Sequence, residues 1–438
     1  MARDASRMEN STPADPRPPS AVSTGVGVAG LVGFACWLTI ARAYGMDGPY
    51  SALINLVAVG VPMVGWSLLV DKVHRNPSTG IDWALRRPFA ETIDVSLVKL
   101  AGLWATWAII AAAYMTARWY WDGSYRFAMW SLGVATPVLA ALSVPYVLWL
   151  DRRLVEPRDG AWCFGAWLIG HGRAEDRPAI ANHLRSWAVK GFFLAFMLSI
   201  VPGGFAELVQ TDLAAATRDP AALARWLIAL MFVIDVALAT VGYMLTMRPL
   251  DAHIRSANPY AAAWVAALIC YPPFTLMSGA GPLGYSIGNY SDASWYHWFA
   301  GSPRWLTLWG AVLVVLTGVY AWATVAFGLR FSNLTHRGIL THGPYRWSRH
   351  PAYWAKNAFW WIATLPFLTT TGDWTDAARN TALLAVVSGV YWWRAKTEER
   401  HLASDPAYRD YSAWIARNGL IARLRSRASG QARARPVA

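Results

Sequence analysis

The chain is poor in cysteine, and its three thiols, Cys36, Cys163 and Cys270, lie far apart. No CxxC spacing occurs, so neither a zinc site nor a disulfide framework is suggested. Histidine is no better as a metal signal. His336, His342, His350 and His401 stand among nine, and no HxxxH or HxxHH cluster occurs. A membrane di-iron oxygenase needs several such clusters, so that chemistry is set aside and no metal is expected. Charge is also scarce: 15% of residues are Asp, Glu, Lys or Arg, against 55% hydrophobic. Strict polar–apolar alternation is missing from the apolar runs, which argues against a membrane β-barrel. No clear internal repeat is present.

What remains is a series of long apolar runs, each able to cross about 30 Å of hydrocarbon as a helix. The expected fold class is all-α, a polytopic transmembrane helical bundle. About ten spans are expected, over 23–43, 51–70, 95–117, 127–150, 188–210, 224–247, 260–280, 305–328, 352–371 and 377–395. Loop charges orient them. With the N-terminus cytoplasmic, inside loops hold Lys72, Arg75, Arg86 and Arg87, then Arg152, Arg153 and Arg158, and later Arg248, Arg255, Arg337 and Arg346. Outside loops hold little more than Arg42, Arg118, Arg126, Arg218, Arg304 and Arg379. This alternation follows the positive-inside rule and puts both termini in the cytoplasm. The net charge of +13 then reflects loops that meet anionic lipid, and no nucleic-acid partner is implied.

The polar, Pro- and Ser-rich residues 1–22 read as a disordered tail. A signal peptide is not indicated, because the apolar run after them has spanning length. The basic end, 422–438, reads as a solvated tail near lipid headgroups. Residues 151–187 form a polar loop with its own aromatics, suited to lying along the interface. The Tyr- and Trp-rich stretch within 281–304 suits an interfacial belt on the far side.

One segment, "GPYRWSRHPAYWAKNAFWW" from Gly343 to Trp361, sets polar groups at the mouth of an apolar helix. Pro351 fits the first helical position, with His350 at the cap. A helix N-terminus beside Arg349 suits a carboxylate or phosphate, though an ordinary positive loop with an aromatic belt would read the same way. A second segment, "YWWRAKTEERHL" at 391–402, continues a span into ionisable residues. Arg394 and Glu398 are i,i+4 and share a helix face. Glu399 points about 100° away from Glu398. A surface ion pair is the plain reading, but ionisable residues continuing a membrane helix raise a functional one.

Taken together, "GPYRxxRHPxY", then "RxxxEExxL" about fifty residues on, then "DPAYRDYSAW", resemble the isoprenylcysteine carboxyl methyltransferase family over roughly 305–420. The wider group includes phospholipid N-methyltransferases. The resemblance implies an S-adenosylmethionine site at the cytoplasmic membrane surface. By it, the turn Arg337, Gly338, Ile339 and Leu340 lines the cofactor, mostly with backbone, and Tyr345 contacts it. Ala358, Phe359, Trp360 and Trp361 wall the adenosyl pocket, while His350 and Tyr353 support the helix start. By the same resemblance, Glu398 holds the cofactor at its amino group, and Arg394 faces the acceptor. Glu399 or His401 would assist if the acceptor were an amine, and Arg330 is a further cofactor candidate. An Arg can orient a carboxylate through two parallel hydrogen bonds. The implied partners are membrane lipids and a lipophilic or prenylated substrate, in a bacterial inner membrane.

The implied organisation is a 1–22 tail, an N-terminal transmembrane region at 23–300, a methyltransferase core at 301–421 and a basic tail at 422–438. The chain departs from the family pattern at Ala355, at Asp405-Pro406, and at Lys356 and Asn357, where many relatives are apolar. Other readings stay open. An NADPH-dependent reductase of the sterol-reductase type shares an RHPxY-like turn. A transporter would use a broken helix, for which Pro272-Pro273 is a candidate, and intramembrane Asp235 as a pathway residue.

Overall fold

The computed structural model describes residues 17–277, 281–285, 294–368 and 373–428. The helices run in chain order as α1 Thr24–Tyr44, α2 Pro49–Gly65, α3 Phe89–Ala117, α4 Arg126–Asp151, α5 Gly160–Leu168 and α6 Arg177–Gln210. They continue as α7 Leu213–Ala216, α8 Pro220–Met244, α9 Ala261–Leu268, α10 Trp295–Trp298 and α11 Pro303–Phe327. The last four are α12 Pro351–Thr364, α13 Trp374–Leu402, α14 Pro406–Asn418 and α15 Leu420–Ala428. Two short strands, β1 Ser256–Ala257 and β2 Thr335–His336, pair antiparallel, with Ser256 opposite His336. The architecture is all-α.

Among the described residues, seven helical segments are long and apolar enough to cross a membrane, making this a multi-pass membrane protein. They are Thr24–Tyr44, Pro49–Val70, Phe89–Ala117, Arg126–Asp151, Ala174–Gln210, Pro220–Met244 and Pro303–Arg330. The other three expected spans take other forms. The run at 260–280 is helical only through Leu268, and its last three residues lie outside the described ones. Pro272 and Pro273 follow, and proline both lacks the N–H a helix needs and disfavours helix before it. The run at 352–371 gives the 14-residue α12, about 21 Å long, which ends at Leu365 with φ +47°. The run at 377–395 lies inside the 29-residue α13, which is long enough but carries Asp376, Arg379, Arg394 and a charged last turn.

The tails also differ from expectation where they are described. Arg17–Val22 is docked on the protein. Ala21 N–H donates to Ile339 O at 2.9 Å, and the Thr341 hydroxyl to Pro18 O at 2.8 Å. Ser20 Oγ lies 2.7 Å from His342 Nδ1. At the other end α15 is helical through Ala428, with Leu420, Ile421 and Leu424 exposed beside Arg423, Arg425 and Arg427. Residues 1–16, 286–293 and 429–438, on which parts of the tail and far-side belt readings fall, lie outside the described residues. The 151–187 segment supplies α5, which turns Cys163 and Phe164 inward and leaves Trp167 exposed.

One apolar core joins α1, α2, α6, α8 and α11 through Phe34, Val59, Phe205, Leu238, Val241 and Ala321. Gly27 of α1 lies where an added Cβ would stand 2.4 Å from Val325 O, so α1 reaches the backbone of α11. Two buried carboxylates are paired with cations. Lys99 Nζ stands 2.5 Å from Asp151 and 3.3 Å from Asp159, tying α3 to α4 and to the cap of α5. Asp251 is the more consequential case. Its carboxylate accepts from Arg330 at 2.7 Å, from Ser78 at 2.8 Å and from Asn76 at 3.0 Å. It therefore joins the loop after α2 to the end of α11.

Breaking a buried pair by removing one charge costs about 3–5 kcal/mol, because the other charge is left stranded. Asp251→Asn should therefore unfold in detergent at a clearly lower temperature than wild type. Arg255→Ala, whose guanidinium stands 3.8 Å from the same carboxylate on a partly exposed side chain, should change the melting temperature little.

Candidate active site

The site is built where α11 ends and α12 and α13 meet. After Arg330 the chain turns back through 331–342, and Arg337 fixes that turn. Its buried guanidinium donates to the carbonyls of Gly242, Leu245, Leu329 and Phe331, and to that of Ala252 at 2.7 Å from Nε. Gly242 and Leu245 belong to the C-terminus of α8, whose last carbonyls have no helical partner. Arg330 donates to Arg337 O at 2.8 Å. Gly338 follows at φ +118°, and a Cβ there would meet Arg330 at 2.3 Å and Ala21 at 2.7 Å. Only glycine fits this position.

The opposite wall is α12 and α13. His350 occupies the N-cap of α12 with Pro351 at N1, as the sequence implies. Its ring does not cap. It stacks on Tyr353 with centroids 5.6 Å apart, and Nε2 donates to Glu399 Oε1 at 3.0 Å. Tyr353 donates its hydroxyl to Glu398. The plain reading of Arg394 and Glu398 as an i,i+4 surface pair gives way to this arrangement. Arg394 is buried, donates to Asn333 Oδ1 at 3.2 Å, and lies 5.3 Å from the Tyr353 ring centre, 5.6 Å from Tyr271 and 5.7 Å from Tyr391. Cation–π contacts give its charge partial compensation without a carboxylate.

Between these walls lies a cavity of about 170 Å³. It brings together Arg337, Gly338, Ile339, Leu340, Tyr345, His350, Tyr353, Arg394 and Glu398. Arg330 also lines it. Ala358, Phe359, Trp360 and Trp361 do not. Phe359 packs with Leu313 and Trp295 and meets Phe232 edge-on at 5.6 Å. Trp361 donates to Ser388 Oγ at 3.0 Å. The reason is helical advance: the cavity follows α12 through Ala352, Tyr353 and Lys356, and 358–361 lie further along, against the aromatic packing of α11 and α13.

Glu399 also lies off the cavity lining. It accepts from His350, from Lys396 at 2.9 Å and from Arg349 at 3.2 Å, so it pins the start of α12 to α13. Burial raises its pKa, but hydrogen bonds from His350 and Lys396 and the charge of Arg349 outweigh this and hold it at about 2. His401 lines the cavity and sits 2.9 Å from Ser256 Oγ, and burial lowers its pKa to about 4. Asp405 caps α14 through Ala407 N–H at 2.8 Å, so the Asp405-Pro406 departure is a helix start. Tyr411 donates to Tyr345 O at 2.7 Å and closes α14 over the 343–348 turn.

Several lining residues were not singled out from the sequence. Tyr391 stands three before Arg394 and seven before Glu398, a helical stripe that the sequence does carry. Tyr320, Thr324 and Phe327 form a similar stripe on α11. Tyr271 and Asn258 reach the cavity from the far side of β1 and α9, with no local signal.

The turn at 337–340, the start of α12, Arg394 and Glu398 also lie in one stretch of the sequence. Residues 308–404 match the model of the isoprenylcysteine carboxyl methyltransferase (ICMT) family. The match begins within α11 and ends just past α13. The ICMT match thus takes in the turn at 337–340, the α12 start and Arg394 with Glu398. No curated protein and no solved structure matches the chain.

Part of the pH dependence of stability follows from His401. A histidine kept neutral when folded gives stability that is full above the unfolded value of 6.5 and is lost as pH falls toward about 4, since the unfolded chain takes up the proton first. Glu399 acts lower, losing its contribution as pH falls from 4.5 toward about 2. His401→Asn should flatten the decline of melting temperature between pH 6.5 and 4, read by thermal unfolding in detergent.

Proposed function

We propose that this chain is an integral membrane methyltransferase that uses S-adenosylmethionine to methylate a lipophilic acceptor, an isoprenylcysteine-like carboxylate, at the cytoplasmic membrane face. The observation that carries the reading is the convergence of Glu398, Arg394, Tyr345 and the 338–340 turn on one cavity inside the region matched to the ICMT family. Methyltransferase activity at a membrane is what that match suggests for the region.

The donor set suits the cofactor. Glu398 offers a carboxylate to an ammonium group, with its orientation fixed by Tyr353. The 338–340 turn lines the cavity, and Gly338 lets it pack directly against Arg330 and Ala21. Tyr345 presents a buried ring braced edge-on by Phe327 at 5.5 Å. When bound, S-adenosylmethionine supplies a sulfonium methyl: an acceptor O–C bond forms, the S–C bond breaks, its electron pair stays on sulfur, and no proton is released.

The protein's part is alignment and exclusion of water. A carboxylate is already a nucleophile, so no strong base is required. Arg394 orients it, since among the described residues it makes no salt bridge to a carboxylate. Desolvation favours the charge-cancelling transition state if binding supplies the cost.

The reading places the methyltransferase core at 301–421 and the other spans at 23–300. It sets both termini in the cytoplasm of a bacterial inner membrane with about ten crossings, counting α12, α13 and the interrupted 260–280 segment. One end of the bundle gathers Arg87, Arg152, Arg248 and Arg330 near Leu154, Thr79 and Asp251, as a cytoplasmic face would.

Binding of S-adenosylhomocysteine to purified protein, read by calorimetry, tests the reading. Wild type should bind, and Glu398→Ala should lose about tenfold or more, as expected for a charged hydrogen bond of 1.5–3 kcal/mol. Wild-type protein that is folded and does not bind would refute the proposal.

A further inference from the structure

Lys356 lines the cavity from α12, one turn beyond Tyr353. Its ammonium lies 5.7 Å from the centre of the Tyr391 ring and 5.3 Å from that of Tyr320. The Arg394 guanidinium lies 5.7 Å from the same Tyr391 ring. Two cations from two helices therefore converge on one aromatic ring within one cavity. The acids around them are committed elsewhere. Glu398 accepts from Tyr353, Glu399 is held by His350, Lys396 and Arg349, and both oxygens of Asp235 accept from the hydroxyls of Tyr320 and Thr324.

We infer that Lys356 and Arg394 form a two-cation clamp for the acid group of the methyl acceptor, and that Lys356 makes the site select acids over amines. The inference rests on the methyltransferase reading of this cavity. Depth assigns the clamp to the acceptor. Glu398 lies one turn along α13 from Arg394, toward the Arg349–His350 lip, whereas Tyr391 and Lys356 lie on the inner side of Arg394. A water-soluble cofactor held by Glu398 occupies the lip, and the lipid-borne acceptor the interior.

Charge balance points the same way. Lys356 and Arg394 bring two positive charges, while Glu398, the acid that lines the cavity, is given to the cofactor by the methyltransferase reading. An acid group on the acceptor offsets that positive charge. An ammonium would add to it, at high cost in a poorly solvated space. A neutral amine would gain nothing from either cation.

The test uses the full chain in detergent with saturating S-adenosylhomocysteine, titrated calorimetrically with two ligands on one chain: S-farnesyl-3-mercaptopropanoic acid and S-farnesylcysteamine. Wild type should bind the acid about tenfold or more tightly than the amine. Lys356→Gln should weaken acid binding by about tenfold while S-adenosylhomocysteine affinity stays within about twofold, and Lys356→Arg should keep most of it. Lys356→Met, closer in shape, repeats the comparison if the Gln variant melts early. Acid binding unchanged in Lys356→Gln and Lys356→Met, or a wild-type preference for the amine, overturns the clamp and leaves the methyltransferase reading standing. Failure of wild type to bind S-adenosylhomocysteine at all overturns that reading and the clamp with it.

Discussion

A buried carboxylate organises the end of the bundle where the site lies. Asp251 sits in a left-handed turn after α8 and takes hydrogen bonds from Asn76, Ser78 and Arg330. Arg330 is thereby fixed and holds the Arg337 carbonyl, while the Arg337 side chain ties up the free carbonyls at the end of α8. The turn that carries Gly338 is thus held from three directions. Two guanidiniums in so small a volume would repel each other and lose their hydration. They are tolerated because one faces a carboxylate and the other is saturated with carbonyl dipoles.

On the opposite wall the problem is solved differently. Arg394 and Lys356 are not paired with acids but laid against tyrosines. Ring quadrupoles stabilise a cation while leaving it able to receive an anion. The adjacent acids divide their work. Glu399 locks α12 to α13 through His350, Arg349 and Lys396, which leaves Glu398, fixed by Tyr353, facing the cavity.

The large N-terminal region is part of this arrangement. α1 packs backbone-close on α11 at Gly27, and residues 17–22 lie across the 339–342 turn. The loop after α2 supplies two of the donors to Asp251. These contacts make the first half of the chain a brace for the turn that the second half presents.

The seven apolar spans were legible because a run of apolar residues has few alternatives in a bilayer, where each backbone polar group must bond within its own helix. The start of α12 at His350-Pro351 and the face shared by Tyr391, Arg394 and Glu398 were likewise local facts, fixed by proline geometry and helical period. Other features depended on neighbours distant in sequence. The same period that placed Tyr353 and Lys356 at the cavity carried 358–361 past it, but where the cavity ends is set by α11 and α13. Whether Arg394 met Glu398 or a ring of tyrosines was decided by Tyr271 and Tyr353, from separate segments. The sequence by itself determined which residues are apolar, helical or charged, because those properties depend on near neighbours. Which charges are answered, and which stay free to meet a ligand, only the tertiary structure decided, because electrostatic compensation acts through space.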